Sequence, residues 1–270
     1  MRIVADIGGT TMRVALSEAP GHIGEHKVAE TPASITDSVA MIKLLASHLD
    51  GSEQATEAVI GIAGILDTRK ESLVIAKHLP GYHGHNLKAE FENALGIKTH
   101  LENDTMLGAL GEAVFGAGKG EPIVAYVAVG TGIGGARVVD GEIDRNVRGF
   151  EIGHQYLGSS DGAKELEELV SGSSILATMG KRASDIHDEI FWDERSKEFA
   201  YGLYNTLLHW SPSMVVLGGS LFKGIGMKKE SIATHLSAIN RIIPSLPPLA
   251  YASLVEPGLY GGSVYTPPTL

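Results

Sequence analysis

The stretch Asp6-Ile7-Gly8-Gly9-Thr10-Thr11-Met12-Arg13 constrains this chain more than any other. Short β-rich runs flank it, Arg2-Ile3-Val4-Ala5 before and Val14-Ala15-Leu16 after. The pattern predicts a hairpin whose Gly-Gly-Thr turn can hold phosphate. Gly8 and Gly9 let backbone N–H groups approach an anion that any Cβ would obstruct, and Thr10 completes the turn. Asp6 would be badly placed against bare phosphate, so it implies a magnesium ion in between, held through water. The alternative for Asp6 is a structural turn residue. The pattern recurs where Val127-Ala128-Val129 leads into Gly130-Thr131-Gly132-Ile133-Gly134-Gly135-Ala136. One Gly-x-Gly is weak evidence and reads equally as an ordinary β-turn. Two in register, one with an acidic partner, predict a two-domain nucleotide clamp.

At 270 residues the chain can bury a sizeable core as one large domain or two modest ones. It has no cysteine, which rules out disulfides and thiolate metal sites. A net charge of −10 argues against nucleic acid as the main partner. No apolar run reaches ~18 residues, so no transmembrane helix and no membrane partner is expected. Asp6 and Gly8 interrupt the first apolar run, which leaves no secretory signal; the cytoplasm is the default location.

Local patterns predict the elements. A third strand spans Glu25 to Glu30. Helical spacing of Val39, Ile42, Leu45 and Leu49 predicts a helix over about Thr36–Leu49, capped by Ser34 or Thr36. Ala58 to Ala63 reads as a buried strand. Asn86 caps a helix over Leu87–Leu95, with Gly96 just past its end. A short strand, Lys98–Leu101, leads to Asn103-Asp104-Thr105 and a helix to about Phe115. The Gly/Lys-rich stretch Gly116–Gly120 is the best boundary, giving domains of residues 1–116 and 117–270. Beyond the second hairpin, helices are expected over Lys164–Val170, Asp193–Trp210 and about Lys228–Ile239. Met214 to Leu217 is a buried strand running into Gly218-Gly219-Ser220. The paired glycine hairpins are the only internal echo in the sequence.

In this order the residues resemble the sugar kinases of the ROK family (repressor, open reading frame, kinase), within the actin/hexokinase ATPase superfamily. Asp6-Ile7-Gly8-Gly9-Thr10 looks like the first phosphate motif and Gly130-Thr131-Gly132-Ile133-Gly134-Gly135 like the second. Gly61-Ile62-Ala63-Gly64-Ile65-Leu66-Asp67 and Leu79-Pro80-Gly81-Tyr82 resemble sugar-side segments. Glu102-Asn103-Asp104 sits where the catalytic Asn-Asp pair belongs. Glu151-Ile152-Gly153-His154 matches the Glu-x-Gly-His sugar motif, and Leu217-Gly218-Gly219-Ser220 resembles the adenosine motif. The chain departs from the family where a cysteine-rich zinc loop often follows Glu-x-Gly-His. Here that region reads Gly158-Ser159-Ser160-Asp161-Gly162-Ala163-Lys164-Glu165-Leu166-Glu167. No zinc site is expected, so His154 must be oriented by backbone or by packing. His78 stands where the family's asparagine precedes Leu-Pro-Gly, and the last helix is cut short by Pro267.

The resemblance implies an α/β protein of two actin-like (ribonuclease-H-like) domains, mixed sheets flanked by helices, with the active site in the interdomain cleft and the last residues returning to the first domain. It implies ATP and Mg2+ as cofactors and a hexose as substrate, most simply glucose phosphorylated at its 6-hydroxyl. N-acetylmannosamine and fructose remain open, and a homodimer is allowed. Asp104, at a strand-to-helix turn, is the candidate general base; the alternative is that Asn103 and Asp104 only cap a helix. Asn103, Glu151, His154, Glu167 and Gly64 are the candidate sugar contacts. Asp6, Gly8, Gly9, Thr10, Gly130, Thr131, Gly132, Gly218 and Gly219 are the candidate nucleotide and metal contacts. Arg13 reads either as a phosphate ligand or as a solvated strand charge. His78, His83 and His85 read as solvated loop residues rather than a metal cluster. The rival to a kinase is a sugar-binding regulator without catalysis.

Overall fold

The computed structural model describes residues 1–268. The last two residues of the range 117–270 therefore lie outside the described residues. The chain divides into two compact units. The first contains Met1–Gly116, Arg145–Gly149 and the chain from Leu254 on; the second contains Ala117–Asp144 and Phe150–Ser253.

In the first unit β1 (Arg2–Ile7), β2 (Thr11–Ala19) and β3 (His22–Glu30) form an antiparallel meander. After α1 (Ile35–Ser47), β4 (Glu57–Ile62) adds in parallel to β1. A small hairpin, β5 (Ile65–Leu66) with β6 (Leu73–Ile75), and α2 (Leu87–Leu95) precede β7 (Lys98–Asn103), which pairs in parallel with β4. Helix α3 (Asp104–Val114) follows at once, and the sheet order is β3-β2-β1-β4-β7. Alternation sorts the two faces. Ile3, Ala5, Ala58 and Ile60 pack with Ile42 of α1 and Phe91 of α2, while Val4 belongs to a separate cluster with Ala15 and Leu259. The Ile, Val, Leu and Phe side chains among these each contribute about 1.5–3 kcal/mol by leaving water.

Local chemistry fixes the helix ends. The Ser34 hydroxyl accepts the Asp37 N–H at 3.1 Å, and the Asn86 side chain accepts the Ala89 N–H at 2.9 Å. Gly96 closes α2 at φ 72°, a left-handed conformation that glycine adopts without a Cβ penalty.

The second unit repeats this topology. Strands β8 (Ile123–Val129), β9 (Ile133–Val139) and β10 (Glu142–Ile143) form the meander. A two-stranded hairpin, β11 (Tyr156–Leu157) with β12 (Lys164–Glu165), leads into α4 (Leu166–Val170) and α5 (Gly172–Met179). The long α6 (Glu189–Trp210) precedes β13 (Met214–Gly218), parallel to β8; α7 (Lys229–Ile239) precedes β14 (Leu249–Tyr251), parallel to β13. The order is β10-β9-β8-β13-β14. The echo seen as two glycine turns is thus an echo of two whole sheets. Lys164, expected in a helix, lies in a strand; the helix starts at Leu166. Helix α6 begins four residues before the expected start at Asp193, because the Asp188 carboxylate caps it through the Ile190 and Phe191 N–H groups.

The chain returns to the first unit as α8 (Pro257–Val264). Among the described residues no helix is long and apolar enough to cross a membrane.

Candidate active site

The β1–β2 turn is built so that the carbonyls of Gly8, Thr10 and Thr11 are occupied. Gly8 N–H donates to Thr11 O at 3.0 Å, Thr31 Oγ1 donates to Gly8 O at 2.8 Å, and Thr31 N–H donates to Thr10 O at 2.9 Å. A carbonyl satisfied in this way no longer competes for the donors an anion needs. The β8–β9 turn uses the same device. Gly130 N–H donates to Gly132 O at 2.9 Å, while the first residues of α5 tie the remaining carbonyls: Gly172 N–H to Gly130 O at 2.8 Å, Ser173 N–H to Thr131 O at 3.0 Å, and Ser173 Oγ to Thr131 O at 2.7 Å. Neither Thr31 nor Ser173 stands in a glycine turn, so sequence reasoning passed over both.

Asp6 ends β1 beside Gly61 of β4, its parallel partner. A Cβ on Gly61 would lie 3.4 Å from both Asp6 Oδ1 and the Asp104 Cα, and one on Gly258 would lie 3.5 Å from Asp6 Cγ. Gly61 and Gly258 thus both border the Asp6 carboxylate, and Gly61 borders the Asp104 backbone as well. Burial, reinforced by the Asp104 carboxylate, pushes Asp6 up to about 7. Burial likewise raises Asp104, against hydrogen bonds from Thr105 and the field of His78. Two carboxylates this reluctant to ionise together suit a bound cation. Arg13 is not a solvated strand charge. Its Nε bonds Glu256 Oε1 at 2.9 Å and its Nη1 bonds Thr11 Oγ1 at 3.2 Å, so it braces the turn.

Asn103 caps α3, accepting Met106 N–H at 3.1 Å through Oδ1, and its Nδ2 donates to Gly64 O at 3.1 Å. The cap and the link to Gly64 (φ 123°) hold one amide in place while leaving an Nδ2 proton over. Asp104 is the first helical residue, and its Oδ1 accepts the Thr105 N–H at 2.7 Å. Behind the pair lies a cluster that the motif does not spell out. Glu102, only 2% exposed, accepts Asn103 N–H at 2.9 Å and pairs with Lys70, whose Nζ is 3.3 Å from Tyr265 Oη. Burial raises the Tyr265 phenol, and the nearby Glu102 carboxylate adds to it.

In the second unit Ile133 is the meeting point. Its N–H donates to Glu167 Oε2 at 2.8 Å, and its carbonyl would be 2.6 Å from a Cβ on Gly153. The phosphate-type turn, Glu167 and the Glu151–His154 segment are thereby brought together. A Cβ on Gly132 would meet Glu167 Oε2 at 2.5 Å, so a side chain there would push the Glu167 carboxylate off the Ile133 N–H. Glu167, read as a sugar contact, also clamps this turn. Gly219 closes on the start of the same turn, since a Cβ there would lie 2.2 Å from Val129 O, and one on Gly130 would lie 3.7 Å from Ser220 Oγ; Gly218 packs instead on Tyr126, whose Oη would be 2.3 Å from a Cβ there. His154 is oriented by neither backbone nor packing; its Nδ1 lies 2.7 Å from Glu165 Oε2. That contact raises the histidine, aided by Glu167 and Glu151 and opposed by burial. Among the described residues no group of three or more His, Asp and Glu is arranged to hold a metal. His85 Nδ1 sits 2.7 Å from Glu90 Oε1 instead.

Two mixed five-stranded sheets flanked by helices, each opening on a glycine-turn hairpin, define the actin-like ATPase fold. Residues 2–253 match the ROK family, and the chain belongs to that family. It is 32% identical over 162 residues to a glucokinase of Streptomyces coelicolor, covering 57% of this chain and 49% of that protein. Its fold is similar to a ROK hexokinase from Thermus thermophilus, at TM-score 0.78 and 24% identity over 97% of this chain and 96% of the other. It is similar too to a ROK glucokinase from Streptomyces griseus in complex with glucose and AMPPNP, at TM-score 0.77 and 22% identity over 97% and 98% of the two chains.

Proposed function

We propose that this chain is an ATP-dependent hexose kinase that transfers the γ-phosphoryl group to a sugar hydroxyl, with the 6-hydroxyl of glucose as the first candidate. The observation that carries the reading is the acidic pair of the first unit, Asp6 and Asp104, set around Gly61 beside a turn whose Gly8, Thr10 and Thr11 carbonyls are already bonded. The relatives described as glucokinases support the choice of sugar, and the neighbour holding AMPPNP supports the donor.

In this reading Asp104 accepts the proton of the attacking hydroxyl as phosphoryl transfer proceeds. Its raised affinity for protons favours that task, and such a base is worth ~10²–10⁴-fold in rate. Asn103 offers its remaining Nδ2 proton to the sugar, with Gly64 fixing its amide. Glu151, His154 and Glu167 recognise further hydroxyls. The glycine turns donate backbone N–H groups at Gly9–Thr10 and Thr131–Gly132 to phosphate, those of Gly8 and Gly130 being spent within the turns, and Gly218–Gly219 admit the adenosine close to the backbone. Bound Mg2+ supplies charge neutralisation on the phosphates; Asp6 is the residue that would hold it, through water.

A coupled ADP-release assay over a panel of hexoses tests this. Asp104→Asn is expected to lose turnover by at least ~10²-fold while still binding the sugar. A wild type that turns over no hexose with ATP and Mg2+ overturns the reading and leaves a sugar-binding regulator in its place. Such a protein of the same family would still bind the panel.

A further inference from the structure

The second unit holds a histidine–carboxylate couple that the Glu-x-Gly-His motif does not contain. His154 ends the one-turn helix Ile152–His154, and Glu165 ends β12. The β11–β12 ladder sets Tyr156 opposite Glu165 and Leu157 opposite Lys164. Leu166 N–H closes it by donating to Gln155 O at 3.0 Å. This two-rung hairpin carries the Glu165 carboxylate to the imidazole, where Oε2 lies 2.7 Å from Nδ1. Glu165 is itself secured, since its backbone N–H donates to Glu168 Oε2 at 3.0 Å, half of a capping box on α4. Among the described residues the other ring nitrogen, Nε2, has no hydrogen-bond partner.

We propose that Glu165 is a positioning residue for sugar recognition: it fixes the His154 ring through Nδ1 and leaves Nε2 to meet a hydroxyl oxygen of the hexose. The proposal rests on the hexose reading given above.

The chemistry of the surroundings supports a donor rather than an acceptor at Nε2. The charged groups that face His154 are all carboxylates: Glu165 on β12, Glu167 on α4, and Glu151 just before the helix. Together they outweigh the desolvation that works against the imidazolium. A charged imidazole has two donors; a neutral one holding Nδ1–H toward Glu165 has only a lone pair at Nε2. Because the folded value is raised above the ordinary 6.5, the donor is fully present below that value. It is lost as pH rises through the raised one. Hexose affinity should therefore fall with rising pH in that window.

Glu165→Gln separates charge from shape, since glutamine keeps an oxygen and the length of the side chain. The experiment uses the full chain, labelled for histidine ring NMR, with sugar affinity measured by calorimetry over the hexose panel from pH 6 to 9. In Glu165→Gln the His154 titration is expected to move down toward the ordinary histidine value. Affinity near pH 7.5 should drop of the order of tenfold, as loss of one charge-assisted hydrogen bond implies. Glu168→Ala removes the cap contact alone and should leave the His154 titration in place. A Glu165→Gln protein whose His154 titrates as in wild type refutes the assignment, as does one whose sugar affinity keeps the wild-type pH profile. A wild type that binds no hexose of the panel refutes the kinase reading and this proposal with it. Normal binding that is indifferent to Glu165→Gln refutes the role of Glu165 alone.

Discussion

Asp6 is a strand residue whose carboxylate is costly to ionise where it stands. Burial is the main cause, the Asp104 and Glu256 carboxylates add to it, and Arg13 offsets part. The folded chain therefore holds this proton more tightly than the unfolded chain, at about 7 against 3.8. The sign follows from linkage: the stabilising contribution is complete below about 3.8 and is lost as pH rises through about 7. Without divalent cation, the wild type should lose thermal stability between these values more steeply than Asp6→Asn, which carries no charge to bury. Magnesium at pH 8 should raise the melting temperature of the wild type and not of Asp6→Asn. Equal pH slopes for the two proteins would show that this carboxylate is not the source. In the proposed reaction the tension is between stability and function, since a group that destabilises the empty fold is the one that would hold the magnesium.

At the scale of elements, α3 and α8 approach through glycine. A Cβ on Gly111 would lie 2.2 Å from Pro257 O, and one on Gly261 would lie 1.9 Å from Leu107 O. No side chain can enter either contact without parting the helices. Gly261→Ala should lower stability by about 1–3 kcal/mol in urea unfolding, the usual cost of overpacking. Gly162→Ala, where nothing lies within 4 Å of the added Cβ, should stay within about 0.5 kcal/mol. Close helix contacts of this kind were not legible in the sequence, because Gly258-Leu259-Tyr260-Gly261-Gly262-Ser263 has no apolar period to report its face. What was legible had a local cause. Asn86 and Gly96 bound α2 where their side-chain and backbone chemistry puts the ends, and the glycine turns with Asp6 marked both hairpins. The two-residue strands β11 and β12 are too short to show alternation, and the run before them is rich in glycine and serine. Hence the sequence pattern places Lys164 in the following helix. The candidate residues themselves could be named one by one from motifs. Their supports, Thr31, Ser173, Glu102 with Lys70 and Tyr265, and Glu165, act across gaps in sequence that only folding closes.

The whole molecule is two copies of one sheet topology, yet the first unit is assembled from three separate stretches of chain. Its last stretch is not an ornament. Arg2 on β1 donates through Nη1 to Ser263 O and to Tyr265 O, each at 3.0 Å. Arg13 on β2 pairs with Glu256. Glu112, fully buried, accepts the Leu254 N–H at 2.8 Å. Leu259 fills the sheet face opposite α1 and α2 together with Val4 and Ala15. Gly262 comes close enough that a Cβ there would be 3.2 Å from Val4 Cγ1. Removing the chain after Ser253 would strip that face of its cover and leave a buried carboxylate and two arginines short of partners, a combination far costlier than any single contact. The core of the second unit draws on none of these residues. A chain ending at Ser253 should therefore lose amide-exchange protection throughout β1, β2 and β4 while β8 and β13 stay protected. Protection retained in both sheets would mean that the first unit is held by its meander and α1 alone, and that the returning helix is dispensable to it.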